Sequence, residues 1–488
     1  MAMSVKVEVG TPIFCTEGLA MSRPIPLHAW TGQVSAAFPN LSRPQATVLA
    51  LYSFGAILAQ RCGLNCVATT LAALLSVSYL TIRSRLQEFY QPASAKSGTR
   101  RRQLDVTTCF APLLAWILKG WPSNRLALAL DATSVGDRFT VLSISVVYRG
   151  SAIPVAWKVV QANVRHAWKP EWIALLRMFQ ALVPANWTVI VMTDRGLYAR
   201  WLFQEIVDLG WHPLMRINRS GKFRKHGSRS SVPVTAFIRG MGQRWQGRGV
   251  AFPKTPRRRL DCTLLACWEP GHEEPWFVLT DLDPDQSEGL WYGMRAWIEH
   301  GFKLLKHGGW QWQETRMTDP ERASRLWLVL AVATRYVLAV GGEAESAEIE
   351  VETIPEMVPV KSGPRAGGRK VAPANLPAPA RRPIKGTAPA SQPPRERASG
   401  TKQRLVSVFR QGLAALVSVL IAGHALPKPQ WYPEPWLEIR TEFQVDRDQP
   451  PTPVPKNPSL GAGHRGVAGS PGHSRPCRRM RPTGRSGF

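Results

Sequence analysis

Two short apolar runs each lead into an aspartate, and they constrain the fold of this chain more than any other feature. Leu126-Ala-Leu-Ala-Leu130 precedes Asp131-Ala-Thr-Ser134, and Thr188-Val-Ile-Val-Met-Thr193 precedes Asp194, followed by the turn-forming Arg195-Gly196. Apolar runs of this length, bounded by polar or turn residues, predict strands buried on both faces. If the two are parallel neighbours, both carboxylates emerge at one edge of a sheet. Each aspartate also has a local alternative: Asp131 as a turn residue after its strand, and Asp194 as the N-cap of the helix suggested by Leu197–Leu209.

A third carboxylate lies in Leu290–Lys306, where Tyr292, Arg295, Glu299 and Lys306 fall on one helical face. At 100° per residue, their spacing places all four within an arc of about 60°. Trp291, Met294, Ile298, Phe302 and Leu305 step by three and four along an adjacent stripe. That pattern predicts a helix packed on a sheet with a polar edge turned into a cleft. A carboxylate flanked by cations on such an edge suits a metal ion bound to phosphate. The local alternative for Glu299 is a surface ion pair with Arg295 or Lys303.

In order and spacing these residues resemble the Tyr-Arg-Glu-Lys signature of DDE transposases from bacterial insertion sequences. The resemblance covers roughly residues 41–340 and is strongest around Asp131, Asp194 and Tyr292–Lys306. It implies an α/β fold: an RNase H-like mixed sheet with flanking helices and a β-rich insertion, preceded by a small helical domain. It further implies that Asp131, Asp194 and Glu299 are the catalytic carboxylates and hold two Mg²⁺ (or Mn²⁺) ions. Two such cations roughly 3.5 to 4 Å apart stabilise the attacking and leaving oxygens of a displacement at phosphorus. Arg295 and Lys306 would position phosphates, and Tyr292 would support the helix or stack near the DNA end. The implied activity is that of a transposase binding terminal inverted repeats of double-stranded DNA. It would pair two ends in a homodimeric synapse, cleave one strand at each, and join the 3′-hydroxyl to target DNA. An RNase H-like nuclease without strand transfer would use the same carboxylates, and a transposase-derived repressor would keep only DNA binding.

The remaining sequence suggests an organisation. Residues 1–40 are expected to be flexible and 41–110 to form a helical DNA-binding domain, with Gln45–Gln60 and Asn65–Leu75 helical and Ser76–Tyr90 a recognition-helix candidate carrying Arg83 and Arg85. The run Arg100–Arg102 reads as a phosphate-contacting linker. The catalytic domain is expected over 120–342. Thr140–Tyr148 and Ala152–Val160 form a hairpin about Arg149-Gly150-Ser151, Lys169–Val183 a helix, and Pro213–Ile217 the strand that completes the sheet. Residues 218–283 read as the β-rich insertion, with Lys222, Arg224, Lys225, Arg229 and Arg257–Arg259 either contacting DNA or forming a solvated basic loop. Asp281-Leu-Asp-Pro-Asp285 lacks the glycine and the twelfth-position acid of a calcium loop, having Gln286 and Tyr292 there. A buried helix is expected over Asp319–Leu338. The Pro-, Ala- and Arg-rich stretch 343–400 suits a linker, 401–426 a helix that packs or dimerises, and 427–488 a disordered basic tail. On this organisation a chain ending near Val340 contains the complete sheet and its helices and is expected to fold cooperatively.

Charge agrees with a polyanionic partner: the chain carries a formal +28 over 488 residues, with pI ≈ 10.5. Seven cysteines without a Cys-x-x-Cys pair argue against a disulfide framework or zinc ribbon. Cys62, Cys66, Cys262 and Cys267 read as buried thiols in a reducing compartment. No secretion signal is visible, and the apolar part of Leu405–Leu426 is shorter than the ~20 residues that span a bilayer. The expectation is a cytoplasmic, nucleoid-associated protein with no membrane contact.

Overall fold

The computed structural model describes residues 25–96, 101–164, 167–353, 404 and 406–439. The expectations for residues 1–24, Arg100, the linker beyond residue 353 and residues 440–488 lie outside these.

Four helices open the described chain: α1 (Ile25–Ala37), α2 (Arg43–Ala59), α3 (Leu64–Leu75) and α4 (Tyr79–Tyr90). Helix α1 falls within the segment expected to be flexible. Its order has a plain cause, since Trp30, Val34 and Phe38 are buried at helical spacing. The Trp30 indole donates to Ser53 Oγ at 3.0 Å. Helix α2 starts with a capping box in which Gln45 reaches back to the Ser42 N–H. Helix α4 buries Ile82, Leu86 and Phe89 and leaves Arg85 exposed, while Arg83 bonds Asn65 and Gln87. A further helix, α5 (Phe110–Leu118), leads into the sheet.

The strands are β1 (Arg125–Val135), β2 (Phe139–Tyr148), β3 (Ser151–Gln161), β4 (Thr188–Thr193) and β5 (His212–Arg216), with α6 (Trp168–Arg177) and α7 (Arg200–Asp208) between them. Their spatial order is β3-β2-β1-β4-β5, antiparallel over β3-β2-β1 and parallel over β1-β4-β5. This is the RNase H-like mixed sheet that the sequence suggests. The β2–β3 hairpin turns on Arg149 and Gly150, both with positive φ, as a two-residue turn matched to strand twist requires.

The sheet does not stop at β5, which corrects the expectation that Pro213–Ile217 completes it. The insertion contributes β6 (Lys222–Lys225), β7 (Val232–Pro233), β8 (Arg244–Ala251), β9 (Leu260–Cys267) and β10 (Trp276–Thr280). Strand β10 pairs antiparallel with β5, so β10-β9-β8-β6-β7 extends one ten-stranded sheet. The exposed edge of β5 provides the ladder that makes the insertion continuous with the core.

Three more helices finish the fold: α8 (Trp297–Lys303), α9 (Pro320–Thr353) and α10 (Val408–Ile421). Helix α9 is long and apolar enough over Pro320–Glu348 to cross a membrane. Yet 94% of its apolar window is buried inside the fold. It also continues through residues 343–353, read from sequence as linker. Helix α10 crosses it at backbone contact: a Cβ on Gly341 would collide with Val408 O, and one on Gly412 with Val337 O. Val408, Phe409, Leu413 and Leu416 are thereby buried.

Residues 427–439, expected to begin a disordered tail, instead lie across the core. Trp431 packs on Trp121 and Tyr148 at ring distances of 5.7 and 5.0 Å, and Leu437 O accepts from the Trp291 indole at 2.8 Å. Arg404 pairs with Glu345 and Glu434, and Glu345 also pairs with Arg149 of the β2–β3 turn. Among the described residues Cys62, Cys109, Cys262 and Cys267 are buried free thiols, whereas Cys66 is exposed.

Candidate active site

The parallel β1–β4 ladder ends at Leu130 opposite Thr193. The next residue on each strand is an aspartate, so Asp131 and Asp194 stand side by side where the ladder stops. Strand β1 itself runs on, with Asp131 opposite Ser143 of β2 and pairing continuing to Val135. Asp131 therefore lies within a strand rather than at its end. Its position is fixed by ladders on one side or both, which makes it a stiffer mount than a loop.

Leu290–Lys306 is not one regular helix. Gly289–Ala296 is 3₁₀, Trp297–Lys303 is α8, and Leu304–Gly308 is a π turn. In a 3₁₀ segment residues three apart eclipse, so Tyr292 and Arg295 still share a face. Tyr292 is buried, with its ring 5.5 Å from Trp276, and burial raises its phenol pKa. Its ring is packed in the core rather than presented to solvent.

Arg295 organises the site. Its Nη2 donates to Asp131 Oδ2 at 2.8 Å and lies 3.9 Å from Asp194 Oδ2, while Nη1 donates to Glu299. Three carboxylates thus converge on one guanidinium. The local alternative for Glu299 is realised, since it pairs with Arg295 four positions back, whereas Asp194 does not cap α7, whose N-cap is Ala199; Asp194 Oδ1 accepts instead from Gly196 N and Leu197 N, both at 3.0 Å. Asp131 Oδ1 accepts from Ala132 N at 2.8 Å. These backbone bonds occupy one oxygen of each aspartate and leave the other facing Arg295.

Lys306, on the π turn, donates to Ser134 O of β1 at 3.1 Å. Burial lowers its pKa, opposed by Asp131. Ser134 O was not a candidate from sequence, because a carbonyl leaves no mark in residue identity. Arg138 was missed for a similar reason: it donates to the carbonyls of Gln313 and Met317 and so pins the segment after the π turn. The insertion cations Lys222, Lys225, Arg229, Arg257 and Arg258 are exposed.

Among the described residues no three Asp, Glu, His or Cys side chains stand close enough to share a metal ion. Arg295 stands between Asp131, Asp194 and Glu299. The donor chemistry nevertheless fits a hard divalent cation, since all three groups offer carboxylate oxygens and all three face a single positive charge. Asp131, Asp194 and Glu299 are the residues that would hold such an ion.

Burial pushes the Asp131 carboxyl up to about 6, with Arg295 and the Ala132 N–H opposing and Asp194 and Glu299 adding to the rise. Burial opposes the charge on Arg295, but Asp131, Tyr292, Asp194 and Glu299 outweigh it and raise its pKa. Because the folded pKa of Asp131 exceeds the ordinary aspartate value of about 3.8, the folded chain binds a proton more tightly than the unfolded one. Stability from this group is present at low pH and is lost as pH rises toward and through about 6. Asp131→Asn, which removes the charge, is expected to unfold a few degrees above wild type at pH 8, reflecting at most about 3 kcal/mol. The gap should narrow below pH 6 and close near the ordinary aspartate value of about 3.8, as followed by thermal scans across that range.

Two aspartates thus stand at the end of the parallel ladder of a mixed sheet, and a glutamate on the adjoining helix meets them at Arg295. Residues 123–335 match the family described as Transposase DDE domain, a span that includes Asp131, Asp194, Tyr292, Arg295, Glu299 and Lys306. No curated protein sequence matches the chain. Among solved structures, that of the piggyBac transposase synaptic complex with hairpin DNA aligns over 64% of this chain and 72% of that chain, at 11% identity and a TM-score of 0.36.

Proposed function

We propose that this chain is a DNA transposase of the Tyr-Arg-Glu-Lys subgroup from a bacterial insertion sequence. On this reading it acts on double-stranded DNA at terminal inverted repeats, as a homodimer that pairs two ends, in the cytoplasm at the nucleoid. The observation that carries the proposal is the convergence of Asp131, Asp194 and Glu299 on one cationic group at the end of the parallel ladder. Two Mg²⁺ or Mn²⁺ ions held by these carboxylates would stabilise charge on the attacking and leaving oxygens.

The chain's own groups divide the remaining work. Arg295, held charged by its neighbours, is placed to exchange a carboxylate for a phosphate oxygen, since guanidinium binds either in a planar fork. Lys306 has one ammonium donor committed to Ser134 O and further donors for phosphate. Tyr292 and Trp276 back the segment that carries Arg295.

The test is incubation of the chain and Mg²⁺ with DNA carrying the matched inverted repeats that should flank its gene. Nicking at the repeat boundary and joining of the 3′-hydroxyl end to a second duplex are expected. Nicking without joining would favour a nuclease, and binding without either a repressor. For Lys306→Ala, end binding followed by fluorescence anisotropy should show a slope of log affinity against log salt shallower by about one unit. A slope equal to wild type would remove Lys306 from the phosphate contacts.

A further inference from the structure

Immediately beyond the π turn, and outside the carboxylate site, lies a second cleft of about 420 Å³. Its walls come from three separated parts of the chain: the end of α2 at Gln60 and Arg61, the turn His307–Gly309 with Gln311, and Arg410 on α10. Arg61 and Arg410 are both exposed. Arg410 commits Nη2 to Gly308 O at 2.9 Å, and Arg61 commits Nη1 to Glu314 at 3.3 Å. A guanidinium carries five N–H donors, so each retains others for a ligand. Gln311 Oε1 is buried with no hydrogen-bond partner among the described residues. Its amide can be turned to present N–H instead, because the two ends of a glutamine amide are interchangeable in assignment. Glu314, the carboxylate paired with Arg61, is half exposed.

Two arginines, an imidazole and an amide around one opening are suited to an anion with several acceptor oxygens. The location says which anion. His307 follows Lys306 directly and lies eight residues beyond Glu299, on the π turn that continues α8. The cleft therefore stands at the end of the segment that carries Arg295, Glu299 and Lys306.

Resting on the transposase reading above, we propose that the Arg61–His307–Arg410 cleft binds a backbone phosphate of the same DNA on which the carboxylate site acts. The distant α10 is then part of the DNA-binding surface. It supplies a cation that the catalytic segment lacks, and its packing on α9 fixes where that cation stands.

The test measures binding of the full chain to a short fluorescein-labelled duplex by anisotropy at several KCl concentrations. Arg61→Ala/Arg410→Ala is expected to bind more weakly, with a log-affinity against log-salt slope shallower by about two units, one per lost contact. Because Arg410 also holds Gly308, a second variant leaves both arginines in place: Glu314→Gln releases Arg61 from its carboxylate and should tighten binding about two- to fivefold. If the wild-type chain binds duplex but neither variant changes slope or affinity, the cleft is not a phosphate site and the proposal falls alone. If the wild-type chain binds no duplex at any salt concentration, the proposal falls together with the transposase reading.

Discussion

Asp131→Asn, Asp194→Asn and Glu299→Gln are each expected to reduce Mg²⁺-dependent cleavage of a DNA end by about a thousandfold or more, while duplex binding stays within about twofold. The size follows from chemistry: losing one carboxylate from a two-cation site removes several kcal/mol of charge stabilisation in the transition state, and each 1.36 kcal/mol is about tenfold in rate. The separation of cleavage from binding follows from geometry, since the three carboxylates repel phosphate and contribute nothing to holding the duplex. Gel analysis of end cleavage alongside anisotropy checks both halves. A variant that cleaves at the wild-type rate would take its residue out of the site, and one that cannot bind would mean the fold had been lost instead. The Arg295 contacts sharpen the expectation. Each substitution removes one negative charge from a group of three around a single guanidinium, so none strands a buried cation without a partner.

The second large effect concerns stability. A chain ending at Val340 should lose its cooperative unfolding transition, because it lacks the last turns of α9, all of α10 and the crossing segment 427–439. Those parts bury Phe409, Leu413, Leu416 and Trp431 and cover Trp291, Val337 and Tyr148. The full-length variant Gly412→Leu tests the same contact at one atom: its side chain would have to occupy the position of Val337 O. Overpacking of this kind against backbone is expected to cost about 3 kcal/mol or more. Thermal or denaturant unfolding would decide. A truncated chain with the wild-type midpoint would show that α10 is an accessory rather than part of the core.

The sequence by itself determined the pieces whose signals are local. Period-two and short apolar runs marked β1 to β5, and Arg149-Gly150 marked the hairpin turn, because strand burial and turn chemistry are written in a few adjacent residues. The convergence of Asp131, Asp194 and Glu299 on Arg295 follows from two apolar runs that each lead into an aspartate and one i,i+4 spacing, which are local, whereas Lys306 lies on the π turn and bonds Ser134 O, which helical spacing did not foretell. What only the tertiary structure decided is what depends on pairing and packing over long separations. The β-rich insertion became an extension of the sheet because β10 found the open edge of β5, a choice made by edge hydrogen bonds that no single strand encodes. The Tyr292–Lys306 segment is divided among 3₁₀, α and π parts rather than forming the one helix its spacing suggests. The apolar Val408–Ile421 helix and Trp431 carried no indication of their partners, because hydrophobic burial is non-directional. Complementary glycines at 341 and 412 settled the partner by allowing two backbones to meet.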